Sequence, residues 1–111
     1  MANIEEIQDL QQLLREDSSN FQARRRLAMI LLEEGFNEEA LKQFLFLVNL
    51  FQNDANLYYN IGITYEKLKN YDDAEVAYLK AISISPDSVD FYYNLGLVYI
   101  EKRLYDKAIS C

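Results

Sequence analysis

Asn60 and Asn94 stand 34 residues apart, each directly after a tyrosine pair, Tyr58-Tyr59 and Tyr92-Tyr93. A carboxamide carries both donors and an acceptor, so it can pair with a peptide backbone and read no side chain. Tyrosine beside it adds contact area at low entropic cost. That is the chemistry of peptide capture. Bond-making chemistry lacks its usual groups. The chain has no histidine, the commonest general base and metal ligand. Its one cysteine, Cys111, makes neither a metal set nor a catalytic dyad, and no Gly-rich phosphate loop is present. The acid pair Asp72-Asp73 falls at an expected helix start, where the helix dipole accounts for it. No enzyme activity, cofactor or metal is expected.

The elements that carry the two asparagines repeat with them. A shift of 34 residues takes Tyr58, Gly62, Tyr65, Tyr71 and Ala74 onto Tyr92, Gly96, Tyr99, Tyr105 and Ala108. The same step backwards takes Gly62, Ala74 and Tyr78 onto Ala28, Ala40 and Phe44. A fixed period of this size means a stacked array of small units. Each unit reads as two helices. In the middle one, helix A runs from about Asn56 to Leu68, with Tyr58, Ile61, Gly62 and Tyr65 on one face. Asn70 interrupts it. Helix B follows with Asp72, Asp73 and Glu75 in its first turn and Ala74, Tyr78 and Ala81 facing inward. Pro86 stops it, and Asp87 or Ser88 is the expected cap of the next helix. Gly62 opposite Ala74 predicts a close approach of the two helices, with Tyr65 and Tyr78 filling the space beside it. Before the first unit, "NIEEIQDLQQLLREDSSN" puts Ile4, Ile7, Leu10 and Leu14 on one face. By phase it is a helix B without a helix A, expected to cap the array with Leu13 or Leu14 turned inward.

Tyr58, Ile61, Gly62, Tyr65, Ala74, Tyr78, Ala81 and Pro86 resemble the tetratricopeptide repeat signature in phase and type, and Tyr92, Leu95, Gly96, Tyr99 and Ala108 repeat it. Arg24, Leu27, Ala28, Leu31, Ala40, Phe44 and Leu47 follow it more loosely: Arg24 replaces a large aromatic, and Gln52 a proline. The organisation expected is a capping helix over 1–20, repeats over 21–54 and 55–88, and a third over 89–111 truncated in helix B, all in one continuous domain. The resemblance implies an all-α, right-handed solenoid of antiparallel helix pairs. In it the A helices line a concave groove, and the protein is a scaffold for an extended peptide or a partner's helix.

The helix A residues left over after packing are the candidate partner-binding set: Arg25, Arg26 and Met29 in the first unit, Tyr59, Asn60 and Ile63 in the second, and Tyr93, Asn94 and Leu97 in the third. Leu32 and Ile100 lie on the same stripes. Apolar residues on a stripe turned to solvent mark an interaction surface. Asn60 with Asn94 resembles the asparagine ladder with which some members of the family hold extended peptides. Other members clamp a chaperone's terminal carboxylate; Arg25 and Asn60 match that pattern, whereas Met29, Asp90 and Asn94 do not, and Asp90 would repel a carboxylate. That ligand is not expected.

Composition narrows the partners. The 111 residues are 50% hydrophobic and 26% charged, with a net charge of −7. A surface of that sign disfavours nucleic acid and anionic membrane, and no stretch approaches the roughly 20 apolar residues of a membrane helix. A protein or peptide is the expected partner and the cytoplasm the expected compartment. The third unit lacks counterparts of Tyr78 and Ala81, which predicts an open apolar back around Leu95, Tyr99 and Leu104. Self-assembly through that end, giving a homo-oligomer, is the alternative function.

Overall fold

The structure, a computed structural model, describes residues 4–111, with the backbone alone at 105 and 106. Seven helices follow one another among these residues: α1 (Ile4–Glu16), α2 (Phe21–Glu33), α3 (Asn37–Leu50), α4 (Ala55–Lys67), α5 (Tyr71–Ile84), α6 (Val89–Glu101) and α7 (Tyr105–Ser110). The first three residues of the expected cap lie outside the described residues.

The turns inside the helix pairs are built alike. Gly35, Lys69 and Arg103 take left-handed backbone, with φ of 87°, 63° and 62°. Directly after each, the N–H of Phe36, Asn70 and Leu104 donates to the carbonyl of Leu31, Tyr65 and Tyr99 at 2.8, 2.9 and 2.7 Å. This six-to-one closure satisfies a carbonyl that the helix end would otherwise orphan, and it reverses the chain tightly. At the other ends, Asn20 caps α2 by accepting from the Ala23 N–H at 3.0 Å. Asp54 caps α4, accepting from Asn56 and Leu57 at 3.1 and 3.3 Å. Acids occupy the first turns of α3 and α5 (Glu38, Glu39, Asp72, Asp73), where the helix dipole favours them. Ser88 stands at the N-cap of α6, but its side chain makes no cap bond.

Each helix packs on the one before and the one after it, and α4 also touches α6. The stack is therefore elongated, 49 × 29 × 19 Å. The core runs along it: Leu27, Ala28 and Ile30 from α2, Ala40, Phe44 and Leu47 from α3, then Leu57 and Ile61 from α4, all nearly sealed from water. The C-terminal end has its own cluster of Ala74, Tyr78, Leu95, Val98 and Tyr99. In α1, Ile7 and Leu10 are buried and Leu14 packs on the core, whereas Leu13 and Ile4 face solvent. Arg24, at a position where an aromatic was expected, does an aromatic's work: its guanidinium lies 3.9 Å from the Phe46 ring centroid and donates to Gln43 at 2.7 Å.

Two expectations change. The atoms nearest to a Cβ built on Gly62 all belong to the Tyr78 ring, so the glycine makes room for that ring rather than for Ala74. At the C-terminal end Leu95 and Tyr99 are buried, because α5 covers them: the Tyr99 hydroxyl donates to Glu75 at 3.1 Å. Leu104 is exposed as expected, and Val89, Tyr93, Leu97, Ile100 and Ile109 extend the apolar surface there.

Candidate peptide-binding groove

Helices α2, α4 and α6 begin 34 residues apart, so residues at equal phase fall in rows across all three. Gln22, Asn56 and Asp90 form one row, and Arg26, Asn60 and Asn94 the next. Met29, Ile63 and Leu97 form the third, Glu33, Lys67 and Glu101 the fourth. Within each helix the four positions are three or four apart, which is one face. All twelve are exposed or half-buried. The surface thus carries an amide-rich row, then an apolar row, then a charged row.

The Asn60 carboxamide makes no hydrogen bond among the described residues, while its backbone carbonyl accepts from Thr64 Oγ1 at 2.7 Å. Asn94 is partly engaged: its Nδ2 donates to the Tyr78 hydroxyl at 3.3 Å. That hydroxyl in turn donates to Glu66 through a short bond. Burial pushes the Tyr78 phenol well above its ordinary value, and the Glu66 carboxylate raises it further. Glu66 itself is raised, first by burial and also by the nearby Glu101, against the Tyr78 bond that lowers it. The net result is a carboxylate whose only described hydrogen-bond donor is a phenol.

The other expected site residues divide. Met29 and Ile63 are half-buried, packed on the core with one side and open on the other. Leu97 is exposed and Tyr93 strongly so, at 65%. Arg26 is exposed and paired with Glu6 of α1 at 2.9 Å. Arg25 and Tyr59 are drawn into packing. Arg25 pairs with the cap residue Asp54 at 2.9 Å and lies over the Phe51 ring. Tyr59 is half-buried between Phe91 and Tyr78, with ring centroids 4.9 and 5.9 Å away, and burial raises its phenol. Leu32, on the same stripe of α2, is buried in the core cluster and is not open to a partner. Glu33, Lys67 and Glu101 complete a row whose order only the three-helix alignment reveals.

At the C-terminal end of α6, Lys102 reaches Asp72 at 2.6 Å and Glu75 at 2.7 Å. The ammonium holds Glu75 below the usual carboxylate range, and burial with the Glu75 bond pushes Tyr99 up to about 12. This cluster ties α5 to α6. Among the described residues no group of three metal-ligating side chains forms, and no helix is long and apolar enough to cross a membrane.

Comparison with known families and structures also finds a repeat of stacked helix pairs. Three models described as tetratricopeptide repeat match residues 1–57, 55–88 and 77–110, the first over more than half of the chain. The chain belongs to the tetratricopeptide repeat family. Among solved structures, a crystal structure of MamA superimposes with a TM-score of 0.87 at 28% identity, over 94% of this chain and 61% of that one. MamA 41-end from Desulfovibrio magneticus RS-1 gives a TM-score of 0.91 at 22% identity, over 94% and 59%. The chain therefore spans about three fifths of those structures. No curated protein matches it by sequence. The family supports a protein-interaction scaffold, and the likeness to these structures shows the fold.

Proposed function

We propose that the chain binds an extended peptide segment of a partner protein across α2, α4 and α6. The observation that carries this reading is the Asn60 carboxamide, left without a described partner on an open face beside the apolar row of Met29, Ile63 and Leu97. An amide that has no structural task is available to a peptide backbone, and the apolar row supplies the desolvated contact area that gives affinity. Asn94 shares its donor with Tyr78 but keeps its carbonyl for a ligand N–H. Arg26 and Tyr93 flank the amides. The reading predicts that peptides selected on the protein from a random display library lose at least tenfold in affinity for Asn60→Ala/Asn94→Ala, with the helical circular dichroism unchanged. Unchanged affinity would overturn it.

A second reading is favoured by the apolar side of α6, where Val89 and Tyr93 are 78% and 65% exposed and Ile100 follows about two turns after Tyr93. Two copies could bury this face against each other. Molar mass by light scattering over a concentration series, with reductant present to exclude Cys111 disulfides, separates the readings: a multiple abolished by Tyr93→Glu supports self-association, and a single-chain mass removes it.

A further inference from the structure

The fourth row of the groove has a definite charge order. Glu33 of α2, Lys67 of α4 and Glu101 of α6 are all exposed, and no salt bridge takes up any of them among the described residues; the Tyr71 hydroxyl bonds to Glu101, which leaves the carboxylate's charge uncompensated. The row therefore reads acid, base, acid along the line of the units. Beside it runs the apolar row. Neighbouring helices in contact lie about 8–10 Å apart, and α4 touches α6. A polyproline II segment advances about 9 Å per turn and returns to the same face every third residue. Its period is of the size of the step from α4 to α6, and the 34-residue repeat sets α2 one equal step before α4 in sequence.

We infer that the groove selects an extended, polyproline-II-like segment with charges in the order basic, acidic, basic at every third residue, and apolar side chains one position on. The partner's cations meet Glu33 and Glu101, its anion meets Lys67, and its apolar residues lie along Met29, Ile63 and Leu97. The order reads the same from either end, so the match holds for both chain directions. Attraction to the net charge of −7 would favour any cationic peptide; recognition by the row favours an alternation. Exposed pairs contribute modestly one at a time, and three in register discriminate mainly by penalising the reversed order, where like charges face each other.

The inference rests on the groove reading, and the test keeps the two apart. The probes are two fluorescein-labelled nonapeptides, Lys-Leu-Pro-Glu-Leu-Pro-Lys-Leu-Pro and Glu-Leu-Pro-Lys-Leu-Pro-Glu-Leu-Pro, titrated with the full chain by anisotropy at low salt. The expected result is at least fivefold tighter binding of the first. The triple variant Glu33→Lys/Lys67→Glu/Glu101→Lys is expected to invert the preference. The variant stays acidic, since two acid-to-base changes and one base-to-acid change move the net charge of −7 only to −5. Simple attraction of a cationic peptide would thus leave the preference as it was, and that outcome overturns the inference. Equal binding of both probes, lost in Asn60→Ala/Asn94→Ala, overturns the charge order and leaves the groove reading standing. Binding of neither probe overturns this inference alone when library-selected peptides still depend on Asn60 and Asn94, and removes both when those peptides also bind elsewhere.

Discussion

The Tyr78 ring fills the space over Gly62: a Cβ built on the glycine would stand 2.6 Å from Cδ1 and 2.9 Å from Cζ, and closer still to Cε1. Tyr78 cannot swing away freely, since it is fully buried and its hydroxyl is held between Glu66 and Asn94. In the next unit the equivalent Gly96 has only Cys111 Cβ at 3.6 Å and the Ala108 carbonyl at 3.7 Å, an ordinary contact distance.

The two glycines therefore answer the same substitution with opposite signs. Gly62→Ala overpacks a buried ring and is expected to cost about 1–3 kcal/mol. Gly96→Ala removes a helix-interior glycine where there is room, and is expected to stabilise by about 0.5–1 kcal/mol. Urea unfolding of both variants checks this. Stabilisation by both variants would mean that helix propensity, and not the ring, decides both sites; destabilisation by both would mean that Gly96 lacks the room its contacts indicate.

The turn residues give a second pair of opposite signs. Gly35, Lys69 and Arg103 share left-handed backbone, which a side chain tolerates at about 1–2 kcal/mol and a glycine tolerates freely. Lys69→Gly and Arg103→Gly are each expected to raise stability by about 0.5–1 kcal/mol after the glycine's extra unfolded-state entropy is subtracted. Gly35→Ala is expected to lower it by a similar amount. Thermal midpoints of the three variants against the parent chain are sufficient.

The Lys102 cluster predicts a dependence on acid. The Glu75 carboxyl is lowered in the folded chain, chiefly by its bond from Lys102. A carboxylate so lowered contributes stability above its unfolded value that disappears as pH falls through the folded one. Glu66 has the opposite sign: its raised value means that folding is penalised when it ionises, so it contributes relative stability on the acid side. Glu75→Gln is thus expected to lower the thermal midpoint at pH 7 and to lose that deficit by pH 2. Glu66→Gln is expected to relieve a penalty at pH 7 and to gain nothing at pH 3. Melting curves across that range, where both variants running parallel to the parent would contradict the assignment, measure the two together.

How far these features can be read from the residues alone depends on how local their causes are. The helices and their phase follow from spacing: Tyr58, Ile61, Gly62 and Tyr65 define a face whatever lies opposite. What lies opposite is less legible. Gly62 reads as a site of close approach to Ala74 with Tyr78 beside it, and only the packed structure puts the Tyr78 ring directly over the glycine. Tyr59 reads as a groove residue because it adjoins Asn60, yet its ring is spent between Tyr78 and Phe91. The Asp54 cap and its bond to Arg25 span 29 residues, beyond the reach of any local pattern. The left-handed turns escape notice because glycine, lysine and arginine share no type, only a position.

The elongated stack, in which each helix leans on its neighbours in sequence, also shapes how the chain finds its structure. Every pairing closes a short loop, so the entropy lost before the first contact is small, and chains dominated by such local contacts fold in microseconds to milliseconds. Nothing in such a chain waits for distant ends to meet. Folding can begin at whichever helix pair forms first and spread outward, and the outermost pair can open without unzipping the rest. A partner that lies across α2, α4 and α6 would stitch the units together, turning a line of separately opening pairs into one cooperative body.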